Sequence, residues 1–168
     1  MIAQSILPEF DHEMATTRKV IERLPEDKHD WKPHPKSMSL GDLTNHLINI
    51  AEWGVVTLKQ ESFDFAPVGG PQYKTPDLRT KAARLAKWDK DIADCRSALM
   101  SISDEAMMKP WSLLAGGKVI FSMPRVATFR SFVLSHNIHH RAQLCIYLRL
   151  NDIPVPSVYG PSADEGSM

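Results

Sequence analysis

The chain has 168 residues, 43% hydrophobic and 24% charged, the balance of a globular protein long enough to build a substantial core in one domain, residues 1–168. Twenty basic residues offset twenty acidic ones, so no net field directs it to nucleic acid or to an anionic membrane. No apolar run approaches the ~20 residues that span a bilayer, and the start MIAQSILPEFDHE, acidic at Glu9 and Asp11, does not read as a signal peptide.

Four long helical patterns follow one another, parted by segments rich in Pro and Gly. The first runs from Ile2 to Leu24, with Phe10, Met14, Thr17, Ile21 and Leu24 at helical spacing. Pro8 requires either a first-turn position or a slight kink. A connector from Pro25 to Met38 carries Trp31-Lys32-Pro33-His34-Pro35. His12, His29 and His34 are expected at the surface or in loops. Ser39 is an N-cap, with Asp42 three residues on, for a second helix reaching Lys59 or Gln60. In it Leu43, His46, Leu47 and Ile50 share a face, so His46 lies on an apolar stripe.

Residues 62–74 read as a loop broken by Gly69-Gly70-Pro71. Thr75-Pro76 predicts the start of a third helix, which carries Leu78, Leu85, Ile92, Cys95 and Leu99 and ends near Ser103. Residues 113–121, around Gly116-Gly117, suit a short hairpin docked on the helices. The fourth helix extends from Pro124 to about Asn151 with two apolar faces, which places it centrally or against another subunit. Residues 152–168 form an irregular tail whose first half, with Val158 and Tyr159, packs down. Cys95 and Cys145 fall in helical segments with no metal-type pairing and read as small buried hydrophobes in a reducing cytoplasm.

The chemistry concentrates in His136-Asn137-Ile138-His139-His140. His136 and His140, four residues apart, stack on one face of the fourth helix. A lone histidine such as His46 is ordinarily a hydrogen-bonded core residue. Two packed imidazoles on an apolar face lack that explanation, and His46 from the second helix completes a three-histidine set for a metal. His139 could pair with His136 at the alternative i, i+3 spacing, but His140 lies nearer the centre of the stripe. Asn137 stands where a zincin carries its general-base Glu, which sets peptide hydrolysis of that type aside. A ferritin-like di-iron site lacks its second Glu-x-x-His motif. Asn49, Trp53 and Gln143 lie on or near inward faces and are pocket candidates, with core packing as the competing role for each. Arg141 points away from the ligand stripe toward a structural role.

Three segments together resemble the DinB/YfiT-like superfamily: WKPHPKSMSLGDLTNHL (Trp31 to Leu47), HNIHHRAQL (His136 to Leu144) and the following YLRLNDIPVPSVYGPSADE. The resemblance implies an all-α, four-helix-bundle fold with long connecting loops. It also implies a divalent ion held by His46, His136 and His140, with nickel or zinc first and iron or manganese as alternatives. A homodimer and a small-molecule substrate, such as a low-molecular-weight thiol, are implied as well. The expected function is a metal-dependent hydrolase or thiol-dependent transferase, with catalytic residues unassigned. The competing readings are a metal-binding stress or interaction protein without turnover, and a bundle whose histidines form a polar cluster without metal.

Overall fold

The computed structural model describes residues 1–166 and is mostly helical with a small three-stranded sheet. Positions 167 and 168 of the expected tail lie outside the described residues. Helix α1 spans Ile2–Arg23 and buries Ile6, Phe10, Met14, Thr17, Val20 and Ile21, a stripe at helical spacing. Pro8 sits inside this helix on its exposed side, where the Gln4 carbonyl that it leaves without a donor can face water.

Helix α2, Leu40–Lys59, starts at Ser39, whose hydroxyl accepts the Asp42 N–H at 3.0 Å. The connector satisfies two more of its first amides: Leu40 N–H donates to Trp31 O and Gly41 N–H to His29 O. A Cβ on Gly41 would fall 2.3 Å from the His29 ring, so glycine is what lets that imidazole lie on the helix start. His29 lies in the connector loop, as expected, but its ring is buried rather than at the surface, and it contacts Arg84 Nη2 at 3.3 Å and Asp77 at 3.2 Å. His12 and His34 are exposed.

Helix α3, Lys81–Ser101, begins at a Thr80 cap, five residues later than the predicted Thr75 start. The reason lies outside the segment. Asn45 of α2 accepts the Leu78 N–H at 3.2 Å, and buried Arg84 donates Nε–H to Leu78 O at 3.0 Å, which holds residues 75–79 extended along α2. A short helix α4, Asp104–Met108, follows.

The expected hairpin is present and longer than residues 113–121: β2, Pro110–Ala115, pairs antiparallel with β3, Lys118–Pro124. Gly116 and Gly117 turn it at φ 59° and 74°. Part of the predicted 62–74 loop forms a third strand, β1, Ser62–Asp64, parallel to β2. The Asp64 carboxylate accepts the Gly116 and Gly117 N–H groups at 3.2 and 2.7 Å, fastening the turn to β1. The fourth helical pattern is continuous in path but divided into α5, Arg125–Phe129, a π-helical turn at Arg130–Ser135, and α6, His136–Leu150.

The four long helical stretches meet in one apolar core that includes Phe10, Ile21, Leu47, Ile50, Trp88, Leu99, Phe129 and Leu144. Helix α2 touches both α3 and α6 and is buried around most of its circumference, which places His46 facing the last helix. Arg125 ties the far end of α2 to α4 by donating to Thr57 O, Gln60 O and Ala106 O at 2.7 to 2.9 Å. Among the described residues no helix is long and apolar enough to cross a membrane.

Candidate metal centre

His46 reaches the site from the middle of α2, and His136 and His140 from the first two turns of α6. Their Nε2 atoms converge: 3.2 Å from His46 to His136, and 2.7 Å from His136 to His140. One ring nitrogen from each of the three lies within 4.8 Å of the others. Nitrogens about 2.0–2.1 Å from a tetrahedral zinc would stand roughly 3.3 Å apart, so the observed separations are of the right scale.

The donor chemistry fits a cation. Gln143 Oε1 lies 2.7 Å from His140 Nδ1, which makes Nδ1 the N–H donor and leaves the lone pair on Nε2. Burial pushes the His46 pKa down to about 4, with the His140 and His136 rings adding to it. His136 and His140 are lowered too, again chiefly by burial. Three imidazoles whose protonation burial disfavours thus bring ring nitrogens to one point, a donor set that fits a divalent ion and leaves its full charge uncancelled.

The π-helical turn lies directly before His136. The His136 N–H reaches back five residues to Ser131 O, so the Phe132 carbonyl four residues back is not its acceptor. That carbonyl is the group that opposes the lowering of the His136 pKa, although buried Nδ1 makes no hydrogen bond of good geometry with it. A π-bulge beside a cluster of ligand-type residues is a common placement for this irregularity.

Around the three rings the pocket candidates take different positions. Trp53 stands edge-on to His46, centroids 6.0 Å apart and planes at 89°. Asn49 is buried. The amide orientation that satisfies both its ends points the oxygen to Trp53 Nε1 (2.9 Å) and the nitrogen to Glu52 (3.1 Å). Gln143 orients His140 as described. His139 is exposed, with its ring 4.8 Å from that of His140 and outside the three-nitrogen cluster. Arg141 turns away into a buried ion pair with Glu13, Nη2 to Oε2 at 2.7 Å.

Tyr73 belongs to this neighbourhood and escaped sequence reasoning. From the loop after β1 it packs on Trp53 and Phe63 and places its hydroxyl against the Asn49 amide. Burial pushes its phenol pKa up, so the hydroxyl stays protonated. A single tyrosine in a Gly/Pro-rich loop carries no periodic signal that could have marked it.

The DinB superfamily model matches residues 9–144. The chain therefore belongs to the DinB superfamily. Among solved structures it is similar to a DinB-like protein from Bacillus cereus ATCC 10987, with 19% identity, TM-score 0.71, and 93% of this chain and 97% of that one covered. It is also similar to a DinB-like protein from Bacillus subtilis, with 17% identity, TM-score 0.69, and 92% and 96% covered. At these identities the likeness is one of fold. Comparison with curated proteins gives no match.

Proposed function

We propose, from membership of the DinB superfamily, that this protein is a metal-dependent enzyme. His46, His136 and His140 hold its divalent ion, zinc or nickel in the first instance, and the long helices form a four-helix bundle around the site. The observation that carries this reading is the meeting of three neutral Nε2 atoms from two helices, with one imidazole already oriented through Nδ1. Such an ion supplies Lewis-acid chemistry, polarising a bound oxygen or sulfur and lowering the pKa of water toward roughly 7.

The chain's own residues prepare the place for it. Gln143 fixes the His140 tautomer, Trp53 closes one side of His46, and the protonated Tyr73 hydroxyl is hydrogen-bonded to the Asn49 amide, which holds both side chains in place. Glu52 is engaged by Lys87 at 2.8 Å, which holds it in place on the outer side of α2. Three protein nitrogens leave at least one coordination position for a small molecule, which suits hydrolysis or transfer from a low-molecular-weight thiol to an electrophile.

The test is metal analysis of protein purified without a nickel column, followed by a screen of hydrolase substrates and thiol–electrophile pairs with His136→Ala as the control. One divalent ion per chain and turnover lost in the variant are expected. Tight metal binding with no turnover across the screen would favour a binding protein, and no affinity for any divalent ion would remove the metal reading altogether.

A further inference from the structure

A slit whose wall includes Trp53, the ring that stands edge-on to His46, opens between α2, the π-helical turn and the sheet. Trp53 and Val56 of α2, Phe63 of β1, Trp111 of β2, Phe121 of β3 and Phe132 of the π-turn form most of its wall. Three of these, Trp53, Val56 and Phe132, come from the ligand-bearing helical stretches. Trp53 lies seven residues after His46 and stands edge-on to it, and Phe132 lies four residues before His136. Phe121 stacks on Phe132 at 4.7 Å with planes 10° apart, so the hairpin supplies the wall opposite the helices. Trp111 Nε1 is buried there without an acceptor.

We infer that this slit receives a short apolar group of the substrate, whose electron-pair donor sits at the ion held by the histidines. The inference rests on the metal reading and adds a substrate class to it: a small molecule with a metal-binding head and a short alkyl or thin aromatic substituent. Shape supports the assignment. The centre of a water-sized sphere can range over only about 20 Å³ of the slit, so it is narrow and takes a thin group rather than a bulky one. A water needs two to four polar partners, and the almost wholly apolar wall gives it few, so an alkyl group displaces it at little cost. An acceptor on the substrate's substituent would in addition satisfy the Trp111 N–H.

The experiment uses the cobalt(II)-loaded full chain, with acetohydroxamate, butyrohydroxamate and longer homologues as probes, and follows the visible cobalt spectrum. Each methylene that enters the slit tightens binding about fourfold, so butyrohydroxamate should bind about fifteenfold better than acetohydroxamate, with a plateau once the slit is full. Val56→Phe fills the slit and should bring the ratio of the two affinities to about one. Phe63→Ala widens it and should move the plateau to longer chains, which keeps the test intact should Val56→Phe fail to fold.

Equal affinities for all chain lengths on a protein with a normal cobalt spectrum would overturn the slit and leave the metal reading standing. A chain-length gain unchanged in both variants would overturn it as well, by placing the alkyl group elsewhere. Failure to bind cobalt at all would remove the metal reading, and this inference with it.

Discussion

At the scale of single residues, the three converging Nε2 atoms make the sharpest prediction. His46→Ala, His136→Ala and His140→Ala should each abolish stoichiometric metal binding by calorimetry, whereas His139→Ala should leave it nearly intact because that ring points outside the cluster. Gln143→Leu removes the acceptor that holds His140 in its tautomer, and metal affinity should drop about 10–100-fold. The same site makes the metal-free protein sensitive to acid. His46 is lowered to about 4 in the folded chain, while an imidazole in the unfolded chain titrates near ~6.5. Between those values the unfolded state binds more protons, so stability rises with pH. The contribution is complete above about pH 6.5 and is lost as the pH falls through that window toward 4. The urea midpoint of metal-free protein should therefore be lower at pH 5 than at pH 7.5, and an equal midpoint would count against buried neutral imidazoles. The spacing of His136 and His140 was legible because helical periodicity is local. The burial of His29 was not, because it depends on Gly41, twelve positions on, having no Cβ.

At the scale of elements, caps and stripes were readable where their chemistry is short-range. Ser39 and Asp42 marked the start of α2, and Ser39→Ala should cost about 1 kcal/mol in chemical denaturation. Thr75-Pro76 misled for the opposite reason. The dipeptide is a good helix start taken alone, but Asn45 and Arg84 capture the backbone of Leu78 and postpone α3 to Lys81. The π-helical turn at Arg130–Ser135 was not legible, since the segment is apolar on two faces and no residue type marks the inserted position. Where α2 crosses α3, Gly54 meets Cys95: a Cβ there would lie 2.6 Å from its Sγ. Gly54→Ala should accordingly destabilise the protein by about 1–3 kcal/mol through overpacking, measurable as a lower melting temperature. A variant as stable as the parent would show that this helix crossing has slack.

At the scale of the whole molecule, a buried polar network joins the tail, α1 and α6. Arg141 pairs with Glu13 and donates to Glu13 O, Thr17 Oγ1 and the Tyr159 hydroxyl, while Thr17 donates to Asn137 Oδ1 beside His136. Both charged groups are almost fully enclosed, so removing one leaves the other uncompensated. Glu13→Ala should cost about 3–5 kcal/mol in denaturant unfolding. A loss below about 1 kcal/mol would mean that water reaches Arg141. The sequence by itself determined the helical class, the apolar faces, the hairpin turn and the three histidines, because helical periodicity, capping and turn chemistry act over a few residues. Only the tertiary structure decided what those histidines face. The sheet that walls the slit, the capture of residues 75–79, the burial of His29 and the seat of Tyr73 depend on contacts between separate segments, 50 positions apart for β1 and β2, 33 for Asn45 and Leu78, 24 for Asn49 and Tyr73 and 12 for His29 and Gly41. Such contacts depend on the packing of the assembled core, which leaves no periodic trace in either partner.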